Sequence, residues 1–312
     1  MPAALPPYSV VVPVFNGARY LRRAVASAVA QTVPAAEILV IDDGSTDGCG
    51  GLVADCPGVR VVAHAANRGL SAARNTGITA ARTGVVALLD SDDAWDADKM
   101  ARQLPAFAAR PDVAVVFCDF RAVNVEGRPV GWQGGTRGRV ANLGLGFDPV
   151  GPDASLLVGS ATEALIRETS FMHPSSVAFR REAFDAAGPF DTSYRYAEDL
   201  EMWLRLAGVG RVAYVDRNLV TIEARPDSLG HQTAKMAAAL TDLYATLPGR
   251  FPDAAPETKR AVAAFLKREC AGLAWHHREK GDTSLARAYY RRSLAAGWSL
   301  RTFLAYLRSY AA

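Results

Sequence analysis

Along the first 120 residues, short apolar runs alternate with longer stretches whose apolar residues recur three and four positions apart. Tyr8–Val14, Ile38–Ile41, Val59–Val62, Val85–Leu89 and Val113–Phe117 are brief and rich in valine and isoleucine. Such runs predict strands buried on both faces, since a half-exposed strand would alternate with polar residues. Between them, Tyr20, Leu21, Ala24, Val25 and Ala28 share one helical face, with Asn16 available as N-cap. Ala73, Gly77, Ile78 and Ala81 share another, in a helix predicted from Gly69 to Arg82, and a third helix is predicted around residues 97–109. Strands and helices alternating at this spacing predict an α/β fold with an open, doubly wound, mostly parallel sheet. Ligands of such sheets bind beyond the carboxyl ends of the strands, where the strand order reverses.

The pattern then breaks. Nine glycines fall between Glu126 and Ser160 and no periodicity persists, which predicts a long mobile loop. Met172–Arg181 reads as a strand rejoining the sheet. Leu200, Trp203, Leu204 and Ala207 define a helix that Gly208 ends. From His231 onward, Ala, Leu, Arg and aromatics recur at helical spacing, with Pro248, Pro252 and Pro256 marking a break. Gly281–Tyr290 resembles the second half of one tetratricopeptide-type hairpin, where a solenoid needs about three units. The expected division is residues 1–230, followed by an α-helical C-terminal region, residues 231–312.

Charge sharpens that division. The net charge of +3 is unevenly held: residues 231–312 carry 13 Lys and Arg against 6 Asp and Glu, and residues 1–230 carry 22 against 26. An acidic front suits a metal-dependent site, and a basic tail suits an anionic neighbour. The last helix, Leu300 to Tyr310, has Phe303, Leu304, Leu307 and Tyr310 on one side and Arg301 and Arg308 on another. It can lie on an anionic bilayer or dock its apolar face on the first unit, and docking is the reading taken here. Cys49, Cys56, Cys118 and Cys270 show no paired spacing, which predicts reduced thiols and a cytoplasmic protein, peripheral at the inner face of the membrane if the last helix binds lipid. No apolar run approaches the roughly 20 residues of a membrane helix, and Met1–Pro7 lack a signal-peptide layout. The tail carries aromatics but no nucleic-acid-binding module, so no nucleic-acid partner is expected.

Candidate chemistry collects where ligands are expected. Val85–Leu89 runs into Asp90-Ser91-Asp92-Asp93, and Ile38–Ile41 into Asp42-Asp43-Gly44-Ser45-Thr46-Asp47. Crowded carboxylates repel unless a cation or water takes them up. Oxygen ligands on a turn suit Mg²⁺ or Mn²⁺. A solvated acidic turn is the plain alternative, and two buried strands ending in paired aspartates count against it. The dinucleotide-binding Gly-x-Gly-x-x-Gly is absent after the first strand, where Pro13–Gly17 stands, which argues against a dehydrogenase. Glu198 and Asp199 fall in the first turn of their helix, where the dipole alone would favour carboxylates.

Val12–Asn16, Val40–Asp47, Asn67–Asn75 and Leu89–Asp93, in this order and spacing, resemble the family 2 inverting glycosyltransferases, and Arg180–Asp191 continues the likeness. The resemblance implies a GT-A fold binding a nucleoside-diphosphate sugar. In that scheme Asp43 accepts the imide N–H of uracil or thymine, and Pro13 and Phe15 line the base pocket. Asp90 faces the ribose or the metal's water shell, Ser91 belongs to the nucleotide-sugar site, and Asp92, supported by Asp90, ligates a Mn²⁺ or Mg²⁺ that bridges the diphosphate. Arg74 either reaches a phosphate or base edge or faces solvent on its helix. Asp199 matches the catalytic base. His173 could face the metal or the acceptor, and the structural reading is the one preferred for it. The Gly-rich segment, about 126–160, would cover the acceptor side, with Trp132 stacking on sugar or simply packing. The expected reaction is inverting, metal-dependent transfer from a UDP- or dTDP-type sugar to a hydroxyl of a glycan, lipid-linked or small-molecule acceptor. The family's processive synthases carry a Gln-x-x-Arg-Trp motif and membrane helices, neither of which occurs here, so one sugar or a few would be added. A sugar-nucleotide nucleotidyltransferase would need a Gly-rich basic loop that Val14–Gly17 does not supply. A non-catalytic carbohydrate-binding protein is disfavoured by intact Asp43, Asp92 and Asp199.

Overall fold

The computed structural model describes residues 4–168, 171–224 and 233–310, and the chain divides into two compact units, residues 1–225 and 226–312. The first is built on an 11-stranded sheet. β1 (Tyr8–Val14) runs parallel between β2 (Glu37–Asp42) and β4 (Val85–Leu88), with β3 (Val59–Ala63) parallel outside β2. β10 (Ala178–Arg180) lies antiparallel between β4 and β6 (Val113–Val123). β11 (Arg211–Glu223) runs parallel to β6, and the antiparallel pair β8 (Gly146–Val150) and β9 (Ala154–Val158) completes the order β3-β2-β1-β4-β10-β6-β11-β9-β8. The short β5 (Ala94–Trp95) pairs with β11 and β7 (Pro129–Gln133) with β6.

Every residue of β1 is buried, as an apolar strand covered on both faces requires. Pro13 is tolerated in this central strand because β4 pairs with β1 only as far as Val11 and Leu88, so no ladder bond is lost there. α1 (Leu21–Val29) buries Leu21, Ala24, Val25 and Ala28, the face its spacing predicts. α2 (Leu70–Ala80) lies so close on the sheet that a Cβ at Gly77 would stand 2.3 Å from Val11 Cγ1. α3 (Lys99–Ala109), α6 (Arg181–Ala187) and α7 (Glu198–Val209) complete the cover that the alternation predicts.

The Gly-rich segment is the main departure. It holds β7, α4 (Thr136–Asn142), β8 and β9, followed by α5 (Ala161–Arg167), rather than a loop. Each element is only five to seven residues long, too short for a hydrophobic period to show. The joints are tight: Gly134 has φ +85°, and a Cβ there would lie 2.5 Å from Asn218 Oδ1. The segment read as a strand from Met172 begins instead as a 3-10 turn, Pro174–Ser176, before β10.

The second unit consists of α8 (Thr233–Arg250), α9 (Pro256–Glu279), α10 (Thr283–Ala296) and α11 (Leu300–Arg308). Its core gathers Cys270, Leu273, Ala274, Ala286, Tyr289 and Tyr290. Asp282 caps α10 by accepting from the Leu285 N–H at 3.0 Å, which closes the predicted hairpin with α9. Pro248 lies inside α8, so the break falls just after it.

Candidate active site

The turn after β4 carries Asp90, Ser91, Asp92 and Asp93, and the 3-10 turn before β10 stands beside it. Ser175, fully buried, ties the two together. Its Oγ accepts from the Asp90 N–H at 2.9 Å and donates to the Asp93 carboxylate, and its own N–H points at His173 Nδ1 at 3.4 Å. From below, Trp95 Nε1 donates to the Ser175 carbonyl at 2.7 Å and Gln103 Nε2 to the Ser176 carbonyl at 2.8 Å. Asp90, Asp93 and His173 thereby bring one ligand atom each within 4.8 Å of one another.

Electrostatics fit this set to a divalent cation. Burial raises the Asp93 carboxyl, and the charges of Asp92 and Asp90 push it well above the carboxylate range. A cation between these groups would relieve that repulsion. Burial lowers His173 below the usual imidazole value despite the surrounding aspartates, which favours the neutral, metal-ligating form. The imidazole beside two carboxylates suits a transition ion such as Mn²⁺ better than it suits the harder Mg²⁺. His173 is therefore placed as a candidate ligand, against the structural role expected of it. Asp92 is not among the three clustered ligands, although its charge acts on both Asp93 and His173.

Arg74 does not face solvent on its helix. It is only 1% exposed, and it donates from Nη2 to Asp90 at 2.9 Å and from Nη1 to Glu198 Oε1 at 2.8 Å. Burial would raise the Asp90 carboxyl, but the Arg74 guanidinium outweighs it, so its pKa falls. Glu198 is pushed up to about 7 by burial and by the neighbouring Asp199, against the pull of Arg74. Arg74 thus joins the acidic turn to the first turn of α7. Asp199 lies there, its Oδ1 accepting from the Leu200 N–H at 2.7 Å, and its charge reaches Arg74 and His173. Before it, Ala197 takes φ +60°, a left-handed conformation that costs a non-glycine residue energy and recurs at functional sites.

The end of β2 departs from expectation. Asp43 is 3% exposed, and its carboxylate already accepts from the N–H groups of Arg68 at 2.9 Å and Gly69 at 2.8 Å and pairs with His64 Nδ1 at 2.6 Å. A carboxylate has about four acceptor sites, so the base-accepting role expected of Asp43 meets a group mostly spent on holding the start of α2. Pro13 is buried in β1, whereas Phe15 beyond it is 50% exposed. The Ser91 hydroxyl lies across from Gly17, 3.5 Å from where a Cβ would be. Trp132 stacks on Phe120 with centroids 5.3 Å apart, Arg139 lies over its ring at 4.1 Å, and Phe120 in turn leans on His173. It is packed against the site's wall.

The sequence profile of Glycosyl transferase family 2 matches residues 9–187. The uncharacterized glycosyltransferase EpsJ of Bacillus subtilis is 30% identical over 72% of this chain and 63% of its own length. The succinoglycan biosynthesis protein ExoO of Rhizobium meliloti is 41% identical over 40% of this chain and 36% of its own. The chain thus spans less than two thirds of these relatives. Among solved structures, S. aureus TarS 1–349 in complex with UDP-GlcNAc superposes with a TM-score of 0.66 at 17% identity, covering 92% of this chain and 81% of that one. The mannosyltransferase PcManGT from Pyrobaculum calidifontis, in complex with GDP-Man and Mn²⁺, gives 0.61 at 21% identity over 99% and 81%. The fold is of the GT-A type, and with the profile covering more than half of its length the chain belongs to glycosyl transferase family 2.

Proposed function

We propose that the unit of residues 1–225 transfers a sugar, with inversion and without processivity, from a UDP- or dTDP-type nucleotide sugar to a hydroxyl of a glycan, lipid-linked or small-molecule acceptor. The observation that carries this reading is Arg74, buried between Asp90 and Glu198, because it sets the acidic turn and the first turn of α7 on one site. Asp90, Asp93 and His173 would hold Mn²⁺ or Mg²⁺, with Asp92 beside them. Such an ion offsets the negative charge that grows on a departing diphosphate, an effect worth several kcal/mol. The Mn²⁺ and GDP-Man of PcManGT and the UDP-GlcNAc of TarS support the donor class and the ion. The exposed ring of Phe15, just beyond β1, offers the base a stacking surface. Release after one or a few additions rests on the lack of a Gln-x-x-Arg-Trp motif. Four unpaired cysteines support a reducing, cytoplasmic setting.

In this scheme Asp199 takes the proton of the acceptor hydroxyl as its oxygen attacks the anomeric carbon opposite the diphosphate. Arg74 keeps Asp90 ionised and holds Glu198, so Asp199 is the carboxylate left to face the acceptor. Asp199→Asn preserves volume and much of the helix-start geometry. Its transfer rate should fall by roughly 10²–10⁴-fold while nucleotide affinity stays within about twofold. Full turnover in Asp199→Asn would remove Asp199 as the base.

A further inference from the structure

α11 is turned the opposite way from an ordinary surface helix. Its inward side is Thr302, Ala305, Tyr306 and Ser309, with Ala305 and Tyr306 packed on the core of the second unit. Ser309 is completely buried and its carbonyl accepts from the Arg287 guanidinium. The outward side is Leu300, Phe303, Leu304 and Leu307, spaced as one helical stripe, with Leu307 48% exposed. Trp298 before the helix is 67% exposed, and Tyr310 after it is also outward. Six large apolar residues that face solvent while small and polar ones face the core mark a surface meant to be covered.

Charge selects what covers it. From Thr283 to Tyr310 the chain has five arginines and no acidic residue. Arg301 and Arg308, one step to the side of the stripe, are both exposed, as is Arg291 on α10. A second copy seated symmetrically on this face would set arginine against arginine. A bilayer surface with anionic headgroups instead takes the stripe into its acyl boundary and pairs the flanking guanidiniums with lipid phosphates. Trp298 and Tyr310, at the two ends, have the amphipathic rings that favour the headgroup level.

We propose that α11, with Trp298 and Tyr310, lies in the surface of an anionic lipid bilayer and holds the enzyme there. This goes beyond the transfer reaction and does not depend on it. The full chain should co-sediment with vesicles of phosphatidylcholine and phosphatidylglycerol in equal parts, and much less with phosphatidylcholine alone. Added salt should release it. Leu304→Glu/Leu307→Glu changes only exposed positions, so its melting curve should match the parent's while vesicle affinity drops by roughly a hundredfold or more. Arg301→Gln and Arg308→Gln should each weaken binding about fivefold, which keeps a charge readout should the double glutamate variant misfold. The idea fails if the parent stays in the supernatant with phosphatidylglycerol present, or if it binds both vesicle types equally. It fails equally if light scattering shows a dimer that the glutamates dissolve and vesicles do not capture.

Discussion

An aspartate at the end of a buried strand can serve a ligand or the fold, and its neighbours decide which. Asp43 has two backbone N–H groups and His64 on its buried carboxylate. Asp43→Asn would turn an amide donor toward at least one of these N–H groups. Losing charged-acceptor bonds costs about 1.5–3 kcal/mol each, so the variant's melting temperature should drop by several degrees whether or not nucleotide is present. A variant that melts with the parent and loses only nucleotide affinity would restore Asp43 to base recognition. His173 moves in the other direction, from structure toward chemistry. His173→Ala should weaken Mn²⁺ binding, read from free Mn²⁺ by electron paramagnetic resonance, by tenfold or more, because it removes the only nitrogen donor of the cluster. Ser175→Ala should cost about 10–100-fold in the same titration, as is usual when a group that orients metal ligands is lost. Mn²⁺ affinity unchanged in both variants would move the ion elsewhere. Neither residue is legible alone: His173 lies 80 residues beyond Asp93, and only the antiparallel insertion of β10 between β4 and β6 brings them together.

At the scale of elements, the sequence is most transparent where one face is buried over several turns. The strands at 8–14 and 38–41 and the helices over 70–80 and 99–109 lie where periodicity puts them. It is least so where elements are short, as in the Gly-rich segment, or where an apolar stripe points outward, as in α11. An apolar face says that something will cover it, not which neighbour does. The buried cation of α3 is another feature that spacing does not reveal. Lys99 is fully buried, donates to Gln103 Oε1 at 2.8 Å and lies 4.1 Å over the Trp95 ring, and among the described residues no carboxylate pairs with its ammonium. Burial lowers it from 10.5 to about 8. Between those values the unfolded chain holds a proton that the folded chain does not, so stability rises with pH across that window, and the full penalty is present below it. Lys99→Met removes the penalty along with the bond to Gln103. The stability of the parent minus that of Lys99→Met should therefore climb by about 3 kcal/mol from pH 8 to 10.5. A flat difference in denaturant melts across that range would show Lys99 to be neutral or differently solvated.

Over the whole molecule, the acidic first unit and basic second unit are readable from charge alone, whereas the path by which buried groups support the site is not. Cys118 illustrates the path: it is buried beneath the 3-10 turn, its thiol 3.7 Å from the Ser176 carbonyl. Burial pushes the Cys118 thiol up to about 12 and also raises Cys49 and Cys270, all three fully buried, whereas Cys56 is half-exposed. Reactivity follows the thiolate and its access. In native buffer a thiol reagent should therefore label Cys56 quickly and the other three only as the protein opens, with all four reacting in denaturant. A ligand that binds only the folded state opposes opening, by about 2.7 kcal/mol at a hundred times its Kd. Mn²⁺ with UDP at that excess should slow labelling of Cys118, assigned by mass spectrometry, by up to about a hundredfold where labelling requires global opening. Cys270 reports the helical unit in the same experiment. Labelling of Cys118 at an unchanged rate, with Mn²⁺ and UDP both shown to be bound, would mean that this part of the core opens without disturbing the site, and the chain of bonds from Gln103 of α3 to the Ser176 carbonyl, and from the Ser176 hydroxyl to the His173 carbonyl, would lose its functional meaning.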